Sequence, residues 1–351
     1  MTNRVCLISD SHFGIKKGSD VFIESQLRFF KEQFVPYLKE QGISTIFFLG
    51  DLFDNRNSLN IKIKNDIFDL FENYLIDFEI YLIIGNHDAY YNTNINIHSL
   101  KFFSKFQNIN IIDKTTTIQK ANKNILLSPW IVDFLEFKKE LVDSVDLCFG
   151  HFDIKGFHFD KFRLSEHGID PTIFPKNCKK VFTGHFHTRS KQTINNTEIV
   201  YIGSPYQLSR ADIAEERGFV VIDLDTNKYE FINNNKSLKY IKLKYPEMFT
   251  KNRIKNNIID IHINKSEIYE EDKIHKYIET VESYYPAEYP NTFIIDDSDF
   301  NSNLNGNNIN IDSITDLIKI YVDSLNIENK IEIYNTLMSL YKIAKGEIQH
   351  E

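Results

Sequence analysis

Up to about residue 230, short apolar runs keep ending in a small residue followed by polar side chains. Val5 to Ile8 leads to Asp10 and His12, Thr45 to Leu49 leads through Gly50 to Asp51, and Ile80 to Ile84 leads through Gly85 to Asn86, His87 and Asp88. Val145 to Phe149 leads through Gly150 to His151, and Val181 to Thr183 through Gly184 to His185 and His187. Such runs predict buried strands, and glycine at a strand end permits a sharp turn and close backbone approach. Between the first strands the period changes. Ile23, Leu27, Phe30, Phe34 and Leu38 repeat at helical spacing, with Gly42 as a C-cap and Pro36 placed to kink or shorten the helix. Ile63, Ile67, Phe71, Tyr74 and Phe78 form a second stripe. Strands alternating with helices imply α/β wiring, in which ligands gather at the carboxyl ends of strands. All five polar clusters fall at that edge, so one site can collect them.

Two further strands are expected at Phe219 to Leu224 and Tyr229 to Ile232, and Asn233-Asn234-Asn235 marks a boundary. The pattern divides the chain into a main domain over 1–236 and a small α+β capping module over 237–300. A strand carrying Ile259, Ile261 and Ile263 and a helix carrying Ile274, Tyr277, Ile278 and Val281 are the clearest parts of the module. An asparagine-rich linker over 301–311 and a helical hairpin over 312–351 complete the expected order. The hairpin stripes are Ile314, Leu317, Ile318, Tyr321 and Leu325, then Ile331, Tyr334, Leu337, Met338 and Tyr341. The linker would hold this apolar face apart from the main core, which favours an intermolecular partner for it.

Composition narrows the class. At 351 residues the chain can bury a core without covalent staples, and its 42% hydrophobic and 26% charged content suits a globular protein. Three cysteines, Cys6, Cys148 and Cys178, without C-x-x-C spacing, point to a reducing cytoplasm. No apolar run approaches the roughly 20 residues of a membrane helix. The net charge of −8 argues against a strong sequence-independent grip on phosphates by the chain alone. Bound divalent cations would reverse the field locally, and a partner would supply further nucleic-acid affinity.

Imidazole, carboxylate and amide-oxygen donors together suit Mn, Fe or Zn better than Ca. Asp51 is the natural bridge, because one carboxylate can hold two ions roughly 3.5–4 Å apart. A D-x-H alone arises by chance in roughly half of chains this long, whereas Gly85-Asn86-His87-Asp88 arises in about 0.2%, so the third cluster carries the case.

Asp10-x-His12, Gly50-Asp51-x-x-Asp54, Gly85-Asn86-His87-Asp88, Gly150-His151 and Gly184-His185-x-His187 stand in the order that resembles the calcineurin-like metallophosphoesterases. The aspartate closing the third motif, and Gly203-Ser204-Pro205 followed by Arg217-Gly218-Phe219, are similar to the SbcD branch, the counterpart of the MRE-eleven nuclease, with its bacteriophage members. The resemblance is carried by residues 1–235 and is only architectural beyond. It implies an α/β sandwich of four layers, α-β-β-α, with a capping domain and a C-terminal helical hairpin. It assigns Asp10, His12, Asp51 and His187 to one metal, and Asp51, Asn86, His151 and His185 to a second. Manganese is the implied ion, with magnesium an option. His87 would be the catalytic histidine near the leaving oxygen, with Asp88 orienting or charging it. The implied activity is single-strand endonuclease and 3′-to-5′ double-strand exonuclease. The implied partners are DNA and an SbcC-type ATPase bound by the C-terminal helices, in a heterotetramer built on a homodimer.

Asp54 departs from many cellular members, which carry histidine there; a turn cap and a catalytic role are both open to it. His158 and His167 are expected to be solvated loop histidines and Trp130 a core residue. Arg189, Lys191 and Arg210 are candidate phosphate contacts. A calcineurin-like phosphoprotein phosphatase or small-molecule phosphodiesterase is the enzyme rival, although Asp54-Asn55-Arg56 replaces the Asp-Arg-Gly such phosphatases carry. A non-catalytic scaffold is the other rival, and no ligand position is missing.

Overall fold

The computed structural model of the chain describes residues 3–141, 144–158, 163–267, 270–289, 292–296, 322 and 330–344. It opens with β1 (Arg4–Ile8), β2 (Thr45–Phe48), β3 (Glu79–Ile83) and β4 (Ile109–Ile112). Next come β5 (Thr116–Lys120), β6 (Lys123–Ser128), β7 (Leu147–His151), β8 (Lys180–Gly184), β9 (Ser190–Ile194) and β10 (Thr197–Tyr201), then β11 (Gly218–Asp223) and β12 (Tyr229–Asn233). They form two mixed six-stranded sheets, ordered β12-β11-β1-β2-β3-β4 and β5-β6-β7-β8-β10-β9. In the first, β1 to β4 are mutually parallel, and in the second β6, β7, β8 and β10 are. β11 and β12 in the first sheet, and β5 and β9 in the second, pair antiparallel with their neighbours.

The continuous apolar runs follow from burial of both faces of each parallel strand. Val5, Leu7, Phe47 and Val220 meet Ile125, Leu127, Phe149 and Phe182 in the space between the sheets, with the Phe47 and Phe149 rings 5.0 Å apart. Cys6, Ile8, Ile46 and Phe48 point the other way, onto Phe30, Phe34, Ile67 and Phe71 of the covering helices. On the far side of the second sheet, Leu126, Cys148 and Val181 pack under Phe137, Phe152 and Phe174, from the seven-residue helix Phe134–Glu140 and loops. The last layer is therefore thin.

The first helical stripe forms Asp20–Phe29, a π-helical turn Phe30–Phe34, and Val35–Glu40. Pro36 cannot donate a helical N–H, and the widened turn just before it, with Val35 N–H donating to the Phe30 carbonyl, lets the helix continue rather than break. Gly42, at φ 64°, closes it: Ile43 N–H donates to the Leu38 carbonyl at 2.9 Å and Gly42 N–H to Lys39 at 3.2 Å, the paired bonds of a Schellman end. The second stripe forms Ile61–Asn73, capped by the Asn60 side chain; its buried residues include Leu70, while Tyr74 lies past the helix and is exposed.

Beyond the sandwich, β13 (Tyr240–Lys244), β14 (Ile258–Asn264) and β15 (Thr292–Asp296) form a three-stranded sheet with the helices Lys251–Ile254 and Glu271–Glu282. The expected strand and helix of the small module are both present. Its Leu238, Tyr240 and Ile258 cluster with Phe22 of the helix Asp20–Phe29, and Leu238 N–H donates to Ser25 Oγ at 2.7 Å. Contacts divide the chain into two compact units, Met1–Ile263 with Glu270–Ile294, and Asn264–Tyr269 with Ile295–Glu351. The second unit includes the helix Lys330–Ala344, which carries the second hairpin stripe. The linker and the first stripe, Ile314 to Leu325, lie outside the described residues except for Val322.

Candidate metal centre

Every polar cluster singled out in the sequence reaches one place. Asp10, Asp51 and Asn86 follow β1, β2 and β3 of the first sheet, while His151 ends β7 and His185 and His187 follow β8 of the second. The carboxyl ends of the parallel strands in both sheets thus face a common seam. Asp10, His12 and His187 form one group of donor atoms within 4.8 Å of one another, and Asp51, His151 and His185 a second. Asp51 joins the two: its Oδ2 is 3.3 Å from His151 Nε2 and 3.7 Å from His12 Nε2. Asn86 Oδ1 stands 2.9 Å from His151 Nε2 and 3.0 Å from His185 Nδ1.

These contacts are arranged for cations. His151 Nδ1–H donates to the Leu49 carbonyl at 2.7 Å, which fixes the ring and aims Nε2 at the Asn86 oxygen. His12 and His187 present Nε2 to Nε2 at 3.0 Å. Each of these pairs can be joined by one imidazole proton or, with that proton displaced, by a cation, and the donor set suits a pair of divalent ions.

The electrostatics divide the histidines. Burial opposes charge on His151, yet the neighbouring Asp51 carboxylate outweighs it and lifts the group to about 9. Burial also opposes ionisation of Asp51, but His151 beside it holds the carboxyl well below its usual range. Burial and the nearby His151 push His185 down to about 3, and burial, then His12, puts His187 well below its ordinary value, which keeps both as neutral donors. Burial raises Asp10, although His151 and His12 oppose it.

The backbone holds the donors in conformations that L-residues seldom adopt. Asp10, His12, Asp51 and His185 have φ of 53°, 42°, 52° and 89°. Four left-handed residues at one site store strain that the surrounding hydrogen bonds must sustain. Ser11 between two of them is clamped: its carbonyl accepts from the Tyr206 hydroxyl and from Gln26 Nε2 at 3.2 Å. The Gly203-Ser204-Pro205 and Arg217 motifs serve this clamp. Ser204 N–H donates to the His187 carbonyl at 3.0 Å, its hydroxyl to the Tyr206 carbonyl at 2.9 Å, and buried Arg217 donates to Ser204 Oγ at 3.3 Å while pairing with Asp212 and Glu215. Gln26 and Tyr206 carry no motif, so only the fold reveals them.

Glycine at the strand end is a requirement of space. A Cβ on Gly85 would fall 2.2 Å from Asp51 Oδ1 and 2.3 Å from Asp51 N. Gly85→Ala is therefore expected to displace Asp51 and to weaken metal retention at least tenfold, a loss of the size seen when outer-shell partners are removed. Isothermal titration with Mn2+ measures it, and unchanged affinity would show that the loop yields freely.

Asp88 and His87 are both present, but the expected pairing between them is not the one seen. Asp88 is buried and accepts from the backbone N–H groups of Leu52 at 3.1 Å, Phe53 at 3.2 Å and Gly85 at 2.9 Å. It braces the Asp51 loop, and burial followed by the Asp51 charge raises it to about 7. His87 is oriented by Asp54 instead: its Nδ1–H donates to the Asp54 carbonyl at 2.6 Å, and its backbone N–H donates to Asp51 Oδ1 at 2.8 Å. The Asp54 carboxylate lies 3.3 Å from His12 Nδ1 and, with Asp51 and Asp10, raises His12 against the opposing effect of burial. Asp54 thus meets two histidines, His12 with its carboxylate and His87 with its carbonyl.

His158 and His167 are exposed, as expected. Trp130 differs from its expected core position: it is half-buried, with its ring 4.9 Å from that of His185. Arg189 turns away onto β12, donating to Asn233 Oδ1 at 2.7 Å over the Phe231 ring, and burial lowers it to about 10. Lys191 lies 3.8 Å from Glu198. Arg210 shares a cleft of about 1300 Å³ with His185 and His187, held at 2.8 Å by buried Asp260 of β14.

The model of the family described as calcineurin-like phosphoesterase matches residues 3–189. The chain belongs to that family. This phosphoesterase is 33% identical over 240 residues to "Exonuclease subunit 1" of Enterobacteria phage T4, covering 66% of this chain and 68% of that one. It is 24% identical over 266 residues to "Putative phosphoesterase 078R" of Invertebrate iridescent virus 3, covering 72% and 71%. A structure titled for a novel archaeal phosphodiesterase aligns over 66% of this chain and 99% of its own, at 11% identity and a TM-score of 0.35. No helix among the described residues is long and apolar enough to cross a membrane.

Proposed function

We propose that the chain is the DNA nuclease subunit of an SbcCD-type repair and recombination complex, hydrolysing phosphodiester bonds as a single-strand endonuclease and 3′-to-5′ exonuclease. The observation that carries the phosphoesterase chemistry is the pair of donor clusters sharing Asp51. The DNA substrate is supported by the likeness to the T4 exonuclease subunit. Asp10, His12, Asp51 and His187 would hold one cation, and Asp51, Asn86, His151 and His185 the other, with manganese the fitting ion. When bound, such a pair neutralises phosphate charge and eases the deprotonation of water.

The chain's own residues do the rest. With Nδ1–H held by the Asp54 carbonyl, His87 keeps Nε2 for exchanging a proton with the departing 3′ oxygen. Asp88, Tyr206 and Gln26 fix the loops on either side. Manganese-dependent cleavage of end-labelled single-stranded DNA tests the reading. Turnover of a phosphoprotein or a monoester, with DNA left intact, would favour the phosphatase rival instead.

The module over 237–300 is the capping domain in this reading, and the segment 312–351 binds the base of an SbcC-like ATPase in a homodimeric heterotetramer. The apolar stripe of the helix Lys330–Ala344 supports that role by the helix-in-groove mode. Deletion from Asn301 onward is expected to abolish capture of such an ATPase and to spare manganese-dependent cleavage of short single strands. Co-purification of the truncated chain at undiminished yield would sink the assignment.

A further inference from the structure

A second cavity, of about 370 Å³, opens against the metal centre on the side of Trp130. Trp130 follows β6, and its N–H donates at 2.8 Å to the carbonyl of Ile84, just ahead of Gly85 and Asn86. Its ring stands 4.9 Å from the His185 ring and 6.0 Å from the His151 ring. One wall of the cavity is thus shared with the metal donors. The opposite rim is apolar and open to solvent: Val132 is 42% exposed and Phe134 43%. This rim is set in place, because the Asp133 carboxylate caps the helix Phe134–Glu140 through the N–H groups of Leu135 and Glu136 at 2.8 and 3.0 Å.

The charges of the cavity select its occupant. Among the described residues, Asp153 and Asp170 line it and no Lys or Arg does. A phosphate would be repelled, whereas a flat neutral ring would cover apolar surface and stack on indole. Stacking of a base on an aromatic side chain tolerates any sequence, since every base has a π-face.

We propose that this cavity is a nucleobase subsite, in which Trp130 stacks on the base of the nucleotide whose phosphodiester lies at the metal centre. The inference rests on the phosphodiesterase reading and deepens it: the enzyme would recognise a nucleoside as well as a phosphate. His151 in the cavity wall, and the Trp130 ring against His185, put the base next to the proposed metal donors. Any base would fit.

Trp130 is the only tryptophan in the chain, so its fluorescence reports the event directly. Titration of the Mg2+-loaded protein with thymidine 5′-monophosphate is expected to quench or shift the emission, and 2-deoxyribose 5-phosphate is not. Equal responses to both, or none to either, would overturn the proposal. Kinetics give the second arm, comparing thymidine 5′-p-nitrophenyl phosphate with ethyl p-nitrophenyl phosphate. The wild type is expected to favour the thymidine ester through KM, Trp130→Ala to lose about tenfold of that preference, a typical stacking contribution, and Trp130→Phe to restore most of it. Phe134→Ala, away from the metal donors, is expected to lower the same preference less. An unchanged ratio in Trp130→Ala, or an equal fall on both esters, would show Trp130 to be a structural prop for His185. Cleavage of neither ester by the wild type would remove the phosphodiesterase reading and this one with it.

Discussion

Asp51→Asn is expected to empty both cation positions and to lower turnover by more than the roughly 100-fold that loss of an outer-shell partner costs. The reason is the double duty of one buried carboxylate. Its Oδ2 lies within 3.7 Å of His12 and 3.3 Å of His151, so it supplies negative charge to both donor groups. Its Oδ1 also accepts the His87 N–H at 2.8 Å. An amide keeps the shape but not the charge, and two divalent ions close together need that charge to offset their mutual repulsion. Elemental analysis of the purified variant checks the result. Two ions per chain, with activity in dilute manganese, would refute the bridging role.

His87→Ala is expected to do the opposite. Metal content should remain near that of the wild type, while turnover on single-stranded DNA falls by about 10²–10⁴-fold, the usual contribution of a positioned proton donor. His87 groups with His12 and Asp54 and joins neither cluster that includes Asp10 or Asp51. It reaches the centre through its backbone, and its ring is held by the Asp54 carbonyl. The loss should be smaller on p-nitrophenyl esters, whose leaving group departs readily without a proton. Loss of both metals in the variant would make His87 a ligand and end this account of its role.

The donors were legible in the sequence because each lies close to the end of an apolar run, and strand ends in parallel sheets have only one edge on which to meet. The glycines at 50, 85 and 184 were legible for the same reason: the close approaches they permit are local. What supports the donors was not. Gln26 sits on a helix whose stripe explains its neighbours, and Tyr206 looks like one more aromatic in a chain rich in them; both meet at Ser11 only after folding. Asp88 misled because adjacency to His87 suggested a side-chain pairing, whereas two backbone donors from the Asp51 loop and one from Gly85 in its own loop outcompete it. Trp130 misled in another way. Its large apolar surface implies burial, but the strand end that carries it opens beside the centre, and the ring covers a neighbouring imidazole instead of the core.

All the proposed metal donors lie on a strand or within four residues of its carboxyl end, in two sheets whose spacing is set by the core between them. The longer excursions that follow β6 and β7 contribute most of the walls and rim of the cavity beside Trp130 and none of the proposed metal donors. Insertions and deletions in those excursions can therefore remodel what the enzyme grasps while the bond-breaking atoms stay in register. Changes in the loops after β6 and β7 would thus reshape the cavity beside Trp130 while leaving the proposed donors at their strand ends.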